Sequence, residues 1–213
     1  MSRNPHQVTK DFEAMLSEYT GAPYAVAVNS CTMALTLAVA WPLRDRVSEH
    51  WVAGDPYPPF EITIPKRTYV SVPQAIIHAG GLPMFADIDW LGMYQLHPLS
   101  VVDSARWFTS GMYRPSSFMC VSFHASKTLG LEQGGAILHD NPEADAWFRR
   151  ARFDGRAEGV APKDDKGIIL GRHCYMNPST AAQGILKLHS LPRHNEPLPN
   201  DDYPDLSTLE CFR

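Results

Sequence analysis

Short apolar segments alternate with helical patterns through most of the chain, and this alternation is the feature that most restricts its fold. Apolar runs predict strands at 24–30, 61–65, 82–88, 100–105, 118–124 and 134–140. Helical spacing of apolar residues predicts helices at 6–21, 31–43, 71–81, 142–153 and 177–191. Strands that alternate with helices pack as a sheet covered on both faces. We expect an α/β protein with a three-layer, mixed and mostly parallel sheet.

Length and charge narrow the possible partners. The 213 residues are 44% hydrophobic, enough for one sizeable core, and their formal net charge is -4 at pH 7. Scattered Lys and Arg residues form no basic stripe along which a phosphate backbone could lie, which argues against nucleic acid as a partner. No segment reaches the roughly 20 apolar residues that span a bilayer, and the first residues lack the apolar run of a signal peptide. We expect a cytoplasmic protein that does not bind membranes.

Two proline-rich stretches and four isolated cysteines complete the outline. The stretch 53–61 reads as a surface loop, and 192–213 follows a compact domain at 1–191 as an extended arm or a disordered tail. The cysteines form no C-x-x-C pair, so the sequence predicts reduced thiols and no metal site.

Lys127 stands just past the predicted strand at 118–124, where the apolar pattern ends. Proteins with α/β sheets bind ligands at this edge. A lysine partly removed from water there has a lowered pKa and can attack a carbonyl carbon. The alternative is a solvated loop lysine, which is the better interpretation of any single lysine.

Two more signals are predicted at the same edge. Asp103 ends a strand and could hold a protonated ring nitrogen or a metal, although an N-cap or turn aspartate is the common alternative. Ser30, Cys31 and Thr32 begin a helix, where amides and hydroxyls offer an anion site or serve as a simple cap. An amine, an acid and an anion site together match the aldehyde, the ring nitrogen and the phosphate of pyridoxal phosphate.

Three longer stretches follow motifs of a known family. "ITIPKRTYVSVPQAIIHAGGLPMFADID" is similar to P-x-x-T-F-V-A-T-x-x-A-I-x-x-x-G-A-x-P-V-F-V-D-I-D, and "VVDSAR" is similar to E-D-A-A-Q. "SFHASKTLGLEQGGAIL" is similar to S-F-x-x-x-K-x-L-x-x-G-E-G-G. The chain therefore resembles the sugar aminotransferase family typified by DegT and StrS, within the fold type I pyridoxal phosphate enzymes. The likeness runs from about Phe12 to Leu191 and implies the large domain of that fold, reduced in size.

The resemblance implies a role for each matching residue. Lys127 would form a Schiff base with pyridoxal phosphate, Asp103 would pair with its ring nitrogen, and Tyr69 would stack on the ring. The phosphate would be bound by Cys31, Thr32 and Ser122. The region that matches His173 would reach the phosphate of a neighbouring subunit, so a homodimer with shared active sites is implied.

The activity implied is transfer of an amino group from an amino acid, with glutamate the expected donor, to a nucleotide-linked keto sugar in polysaccharide biosynthesis. Two alternatives keep the same cofactor: a lyase or dehydratase that acts on an amino acid or a modified sugar or base, and a non-catalytic cofactor-binding protein that oligomerises. An α/β domain with only a structural likeness is the fourth. The donor carboxylate would need an arginine, and four are candidates: Arg106, Arg152, Arg156 and Arg172.

Several positions depart from the family pattern. Arg106 stands where the family has Gln or His near the cofactor's phenolic oxygen, and Gln133 replaces an acid. His173 and Tyr175 replace Asn and Arg. Only "WLGMYQLHPLS" fills a region where the family has a strand and a helix. Either the Asp103 strand pairs directly with the strand at 61–65, or "MYQLH" supplies a shortened substitute. We also expect the family's C-terminal small domain to be missing.

Overall fold

A computed structural model describes residues 4–53, 59–200 and 202–212, so most of the predicted loop at 53–61 lies outside it. The described residues form five α-helices: α1 Gln7–Thr20, α2 Cys31–Ala53, α3 Ser71–His78, α4 Pro142–Ala151 and α5 Pro178–Ser190. They also form seven strands: β1 Tyr24–Val28, β2 Glu61–Pro65, β3 Leu82–Ala86, β4 Tyr94–Leu96, β5 Val101–Asp103, β6 Phe118–Ser122 and β7 Gly135–His139.

Five strands make the central sheet, in the order β1-β7-β6-β5-β4, and β2 pairs with β3 beside it. β1, β5 and β6 run in one direction, whereas β7 and β4 run in the other. An antiparallel bridge between Thr63 and His97 joins β2 to the end of β4. The parallel strands β2 and β3 therefore share the direction of β1. The predicted α/β class, with a mixed sheet, is confirmed. Five of the seven described strands share one direction, as a mostly parallel sheet requires, but three of the five strand pairings are antiparallel because β4 and β7 run the other way between them.

Helices cover both faces of this sheet because side chains alternate along its strands. Val26 and Val28 of β1 belong to a core that includes α2, α3 and α4. Ala25 and Ala27 face the other core, which includes Phe12 of α1. Each fully buried large apolar side chain stabilises the fold by about 1.5–3 kcal/mol. No helix among the described residues has the length and apolar character to cross a membrane.

β4 settles the two alternatives for the shortened region. Tyr94 and Leu96 are buried, while Gln95 between them is exposed, as in a strand with one covered face. β4 pairs with β5 and is bridged to β2 by His97, so the segment "MYQLH" supplies the substitute strand. Direct pairing of the Asp103 strand with the strand at 61–65 is wrong.

The segment after α5 lies along the surface of its own chain. The Arg193 carbonyl accepts hydrogen bonds from the Thr109 hydroxyl at 3.1 Å and the Ser110 amide at 2.9 Å. Farther along, Leu206 is fully buried and its amide donates to the Lys66 carbonyl at 2.8 Å. The described part of this segment therefore packs against its own chain.

Candidate active site

A pocket of about 390 Å³ lies where β5 and β6 end. Seven of the eight predicted site residues line it: Cys31, Thr32, Tyr69, Asp103, Arg106, Ser122 and Lys127. His173 is not among the lining residues. Its side chain is 70% exposed, and its Nδ1 lies 3.1 Å from Asp154 Oδ2.

Asp103 lies at the end of β5, opposite Tyr94 of β4. Its Oδ2 accepts a hydrogen bond from the Tyr94 hydroxyl at 2.9 Å, and its Oδ1 accepts one from the Ala105 amide at 2.9 Å. Burial raises the pKa of Asp103, whereas these two bonds and the charge of Lys127 oppose the rise. A carboxylate oxygen has two lone-pair sites, so each oxygen keeps the capacity to accept a further N–H.

Lys127 follows β6 in a loop that returns to β7. Its amide donates to the His124 carbonyl at 2.8 Å, and its side chain is half-buried. Gly130 holds the loop with a φ of 58°, a left-handed conformation that favours glycine. The Lys127 charge lowers the pKa of both Asp103 and Cys31, although burial dominates and raises both. Its amine therefore lies within electrostatic reach of both groups.

The start of α2 forms another wall of the pocket. Ser30 Oγ accepts a hydrogen bond from the Met33 amide at 3.2 Å, as an N-cap does. Gly135 of β7 packs so closely that a Cβ there would lie 2.6 Å from the Cys31 nitrogen. Thr32 Oγ1 donates to Ser71 Oγ at 2.8 Å, where α3 begins. Two helix N-termini, with their partial positive charges and hydroxyls, therefore border the pocket.

Several lining residues escaped the sequence analysis. Ser71 begins a helix without any phosphate-site pattern of its own, and Trp90, Thr68 and Tyr203 also line the pocket. Tyr94 acts behind Asp103: its oxygen lies 2.6 Å from Thr68 Oγ1, which donates because the tyrosine hydrogen goes to Asp103. The alternation of apolar and polar residues in β4, with Tyr94, Gln95 and Leu96, was the sequence signal that could have predicted a buried Tyr94.

Of the four candidate arginines, Arg106 alone lines the pocket. Arg152 is buried elsewhere, where it pairs with Glu13 and donates to the Ala27 carbonyl at 2.7 Å. Arg172 donates to the His78 carbonyl at 2.6 Å. The Arg156 guanidinium lies 5.0 Å from the ring centroid of Phe153.

A wider groove of about 570 Å³ lies away from these groups, between α1 and β1. It contains Glu13 and Arg149, whose charges neutralise each other because Arg149 Nη1 lies 2.7 Å from Glu13 Oε2. The charged groups of this groove therefore stabilise the fold, and the smaller pocket is the candidate active site.

The donors and acceptors of the smaller pocket fit pyridoxal phosphate. Asp103 offers a buried carboxylate to a ring nitrogen, and Lys127 offers an amine to an aldehyde. The α2 N-terminus offers amides to a phosphate. β7 can approach this N-terminus only because residue 135 is glycine.

An α/β sheet with an acid, a lysine and two helix N-termini at one edge has the groups that a phosphorylated, amine-reactive ligand would require. The chain belongs to the DegT/DnrJ/EryC1/StrS aminotransferase family, whose model matches residues 3–103 and 111–197. It is 37% identical over 89 residues to the spore coat polysaccharide biosynthesis protein SpsC of Bacillus subtilis, a match that covers 42% of this chain and 19% of SpsC.

Solved structures show the same fold at low sequence identity. AtS13 from Actinomadura melliaura has a TM-score of 0.72 and 19% identity, over 87% of this chain and 60% of its own. NtdA from Bacillus subtilis, solved with bound cofactor PMP, has a TM-score of 0.66 and 20% identity, over 86% of this chain and 48% of its own. The chain thus spans about half to three-fifths of the length of these relatives.

Proposed function

We propose that the chain binds pyridoxal phosphate and transfers an amino group from glutamate to a nucleotide-linked keto sugar. The observation that carries this proposal is that Lys127 and Asp103 line one pocket beside the N-terminus of α2. Membership of the aminotransferase family and the likeness to SpsC support the reaction type and a sugar acceptor.

Asp103 and Lys127 carry the chemistry in this proposal. Bound pyridoxal phosphate supplies an aldehyde and an electron-withdrawing ring. The Asp103 carboxylate would hold the ring nitrogen in its protonated form. Lys127 would hold the aldehyde group through its amine, and after the amino donor has displaced that amine, the Lys127 Nζ would accept the proton that leaves the α-carbon of the donor. Tyr69, which is 58% exposed, would lie against the ring face.

The phosphate lies at the start of α2 in this proposal. Cys31 and Thr32 donate backbone N–H groups, and the hydroxyls of Thr32 and Ser122 add two donors. Burial and the nearby Asp103 charge raise the pKa of the Cys31 thiol well above its ordinary value, so the thiol stays neutral beside the phosphate. Ser71 adds a hydroxyl that the motif comparison does not include.

We further infer a homodimer. Leu91, which directly follows the pocket residue Trp90, exposes 61% of its surface, and burial of such an apolar group favours association. His173 lies outside its own pocket and is exposed, as a residue that reaches a neighbouring subunit would be.

Two experiments test the proposed function, one after the other: absorbance tests cofactor binding, and label transfer tests the reaction. We expect the purified protein to develop a visible band with pyridoxal phosphate that Lys127→Ala abolishes. We then expect nitrogen-15 to pass from labelled glutamate to a nucleotide-linked keto sugar. A Lys127-dependent band without label transfer would support a lyase, a dehydratase or a non-catalytic binding protein and would contradict the proposed aminotransferase activity. Absence of the band would refute the proposed cofactor.

A further inference from the structure

The C-terminal segment contributes a side chain to the pocket. Tyr203 lines the pocket together with Lys127 and Asp103, although it lies 76 positions beyond Lys127 in the chain. The family resemblance assigns no site residue to this segment. Its contacts therefore have to be understood from the structure itself.

Tyr203 is hydrogen-bonded to the guanidinium group of Arg106, which lines the pocket. Arg106 is buried, and its Nη1 donates to the Tyr203 hydroxyl at 3.1 Å. Its Nη2 donates to the Pro199 carbonyl, and the Arg106 carbonyl accepts from the Leu198 amide at 2.7 Å. Because two arms of a planar guanidinium are bound to the same segment, the plane of that group is fixed by the segment.

The Tyr203 ring is itself held in place. It stacks on Trp90 with ring centroids 6.1 Å apart and an interplanar angle of 18°. The Trp90 indole donates to the Arg67 carbonyl at 3.0 Å, and Arg67 donates to the Tyr203 carbonyl at 3.3 Å. Trp90 also contacts Tyr94, the residue that donates to Asp103, at 4.7 Å between centroids. The hydroxyl of Tyr203 thus has a defined position relative to the rest of the pocket.

We propose that Tyr203 is a positioning residue of the active site, which orients the Arg106 guanidinium toward an anionic oxygen of the bound ligand. This inference rests on the proposed function. The oxygen is either the phenolic oxygen of the cofactor or a carboxylate oxygen of the amino donor. A planar guanidinium binds either one with directed hydrogen bonds, and a fixed plane reduces the entropy lost on binding.

A double-mutant cycle in the full chain tests the coupling. The dissociation constant of pyridoxal phosphate is measured by fluorescence for wild type, Tyr203→Phe, Arg106→Gln and the double variant. Succinate is then titrated into each loaded protein. Tyr203→Phe keeps the stacked ring and removes only the hydroxyl. Tyr113→Phe is the matched control, because the Tyr113 hydroxyl donates to the Ser117 carbonyl at 3.3 Å and does not line the pocket.

We expect Tyr203→Phe to weaken binding of one of the two ligands about three- to tenfold, the net contribution of one ordinary hydrogen bond, because Tyr203 acts on the ligand only through Arg106. In the Arg106→Gln background the same change should have no further effect. Weaker pyridoxal phosphate binding assigns the oxygen to the cofactor, and weaker succinate binding assigns it to the donor. Unchanged or tighter binding of both ligands, or an equal effect in the Arg106→Gln background, would overturn the positioning role alone. A wild type that binds no pyridoxal phosphate would overturn the proposed function as well.

Discussion

Tyr94 donates its phenolic hydrogen to Asp103 across 2.9 Å from the strand directly opposite. Asp103 ends β5, and Tyr94 begins β4, the short edge strand that replaces a longer region of the family. The bond opposes the rise that burial causes in the pKa of Asp103. The shortened region thus supplies a hydrogen bond that favours the charged form of Asp103, the form that the proposed cofactor requires.

Tyr94→Phe tests this contribution. Without the hydroxyl, the pKa of Asp103 should rise further, because a bond that favours the charged form is lost. We expect pyridoxal phosphate binding to weaken about three- to tenfold. The ratio of the variant and wild-type dissociation constants should grow as pH falls, since the variant protonates Asp103 at higher pH. A ratio of one at every pH would contradict this role.

Asp103→Asn should separate stability from cofactor binding. Burial raises the pKa of Asp103, so the folded chain holds this proton more tightly than the unfolded chain. The ionised carboxylate therefore costs the cofactor-free fold free energy above its raised pKa. We expect Asp103→Asn to increase the free energy of unfolding at neutral pH, and to weaken cofactor binding about ten- to hundredfold.

Urea unfolding over a pH series measures the stability effect. The gain from Asp103→Asn should shrink as pH falls from the raised pKa to the ordinary value of 3.8 and should disappear below it, where Asp103 is protonated in both the folded and the unfolded chain. Asp11→Asn, at an exposed position, is the control and should change the free energy of unfolding by less than about 0.5 kcal/mol. A gain that stays constant with pH would show that charge is not its cause.

Gly135→Ala should displace the start of α2. The new Cβ would lie 2.6 Å from the Cys31 nitrogen, so the helix must move. Overpacking of this kind costs about 1–3 kcal/mol, and the displaced amides should bind pyridoxal phosphate less tightly. Gly111 has open space around its Cβ position but a φ of 67°, so Gly111→Ala strains the backbone without touching the pocket. Equal loss of cofactor affinity in both variants would contradict the proposed phosphate site.

Mixed subunits test whether the site is shared. We expect Lys127→Ala and His173→Ala to be inactive separately, because each removes a residue from every site. In a hybrid dimer, one site has an intact Lys127 and an intact His173 of the partner subunit. Mixing the two variants should therefore restore about a quarter of wild-type activity, since half of the dimers are hybrids with one complete site of two. Full activity of His173→Ala alone would refute the shared site.

Local patterns predicted the site where strands and helices follow each other closely. Asp103 ends β5, Thr32 lies in the first turn of α2, and Lys127 lies in the loop after β6. Such positions can be derived from apolar periodicity. The strand at 61–65 was predicted with its observed bounds. The helix predicted at 31–43 continues to Ala53 past Pro42, and Leu43, directly after the proline, is buried in the core.

Contacts between distant segments were beyond local patterns. Tyr203 reaches Arg106 and Trp90 only after the chain has folded, and its surroundings in sequence are polar and proline-rich. Tyr94 had a weak signal because a strand of three residues gives a single period of alternation. Ser71 is hydrogen-bonded to the Thr32 hydroxyl, which lies 39 residues earlier in the chain, so local sequence patterns could not predict that it lines the pocket.

The wall that Tyr203 provides has a kinetic consequence. The segment is anchored through Asn195, whose amide donates to Thr109 Oγ1 at 3.0 Å, and through the buried Leu206. Between these anchors Leu198, Pro199 and Tyr203 are hydrogen-bonded to Arg106, and the Tyr203 ring stacks on Trp90. Local opening of the segment has to break all of these contacts, so it costs more free energy than the movement of an unattached loop. We therefore expect this wall to lengthen the residence time of a bound ligand.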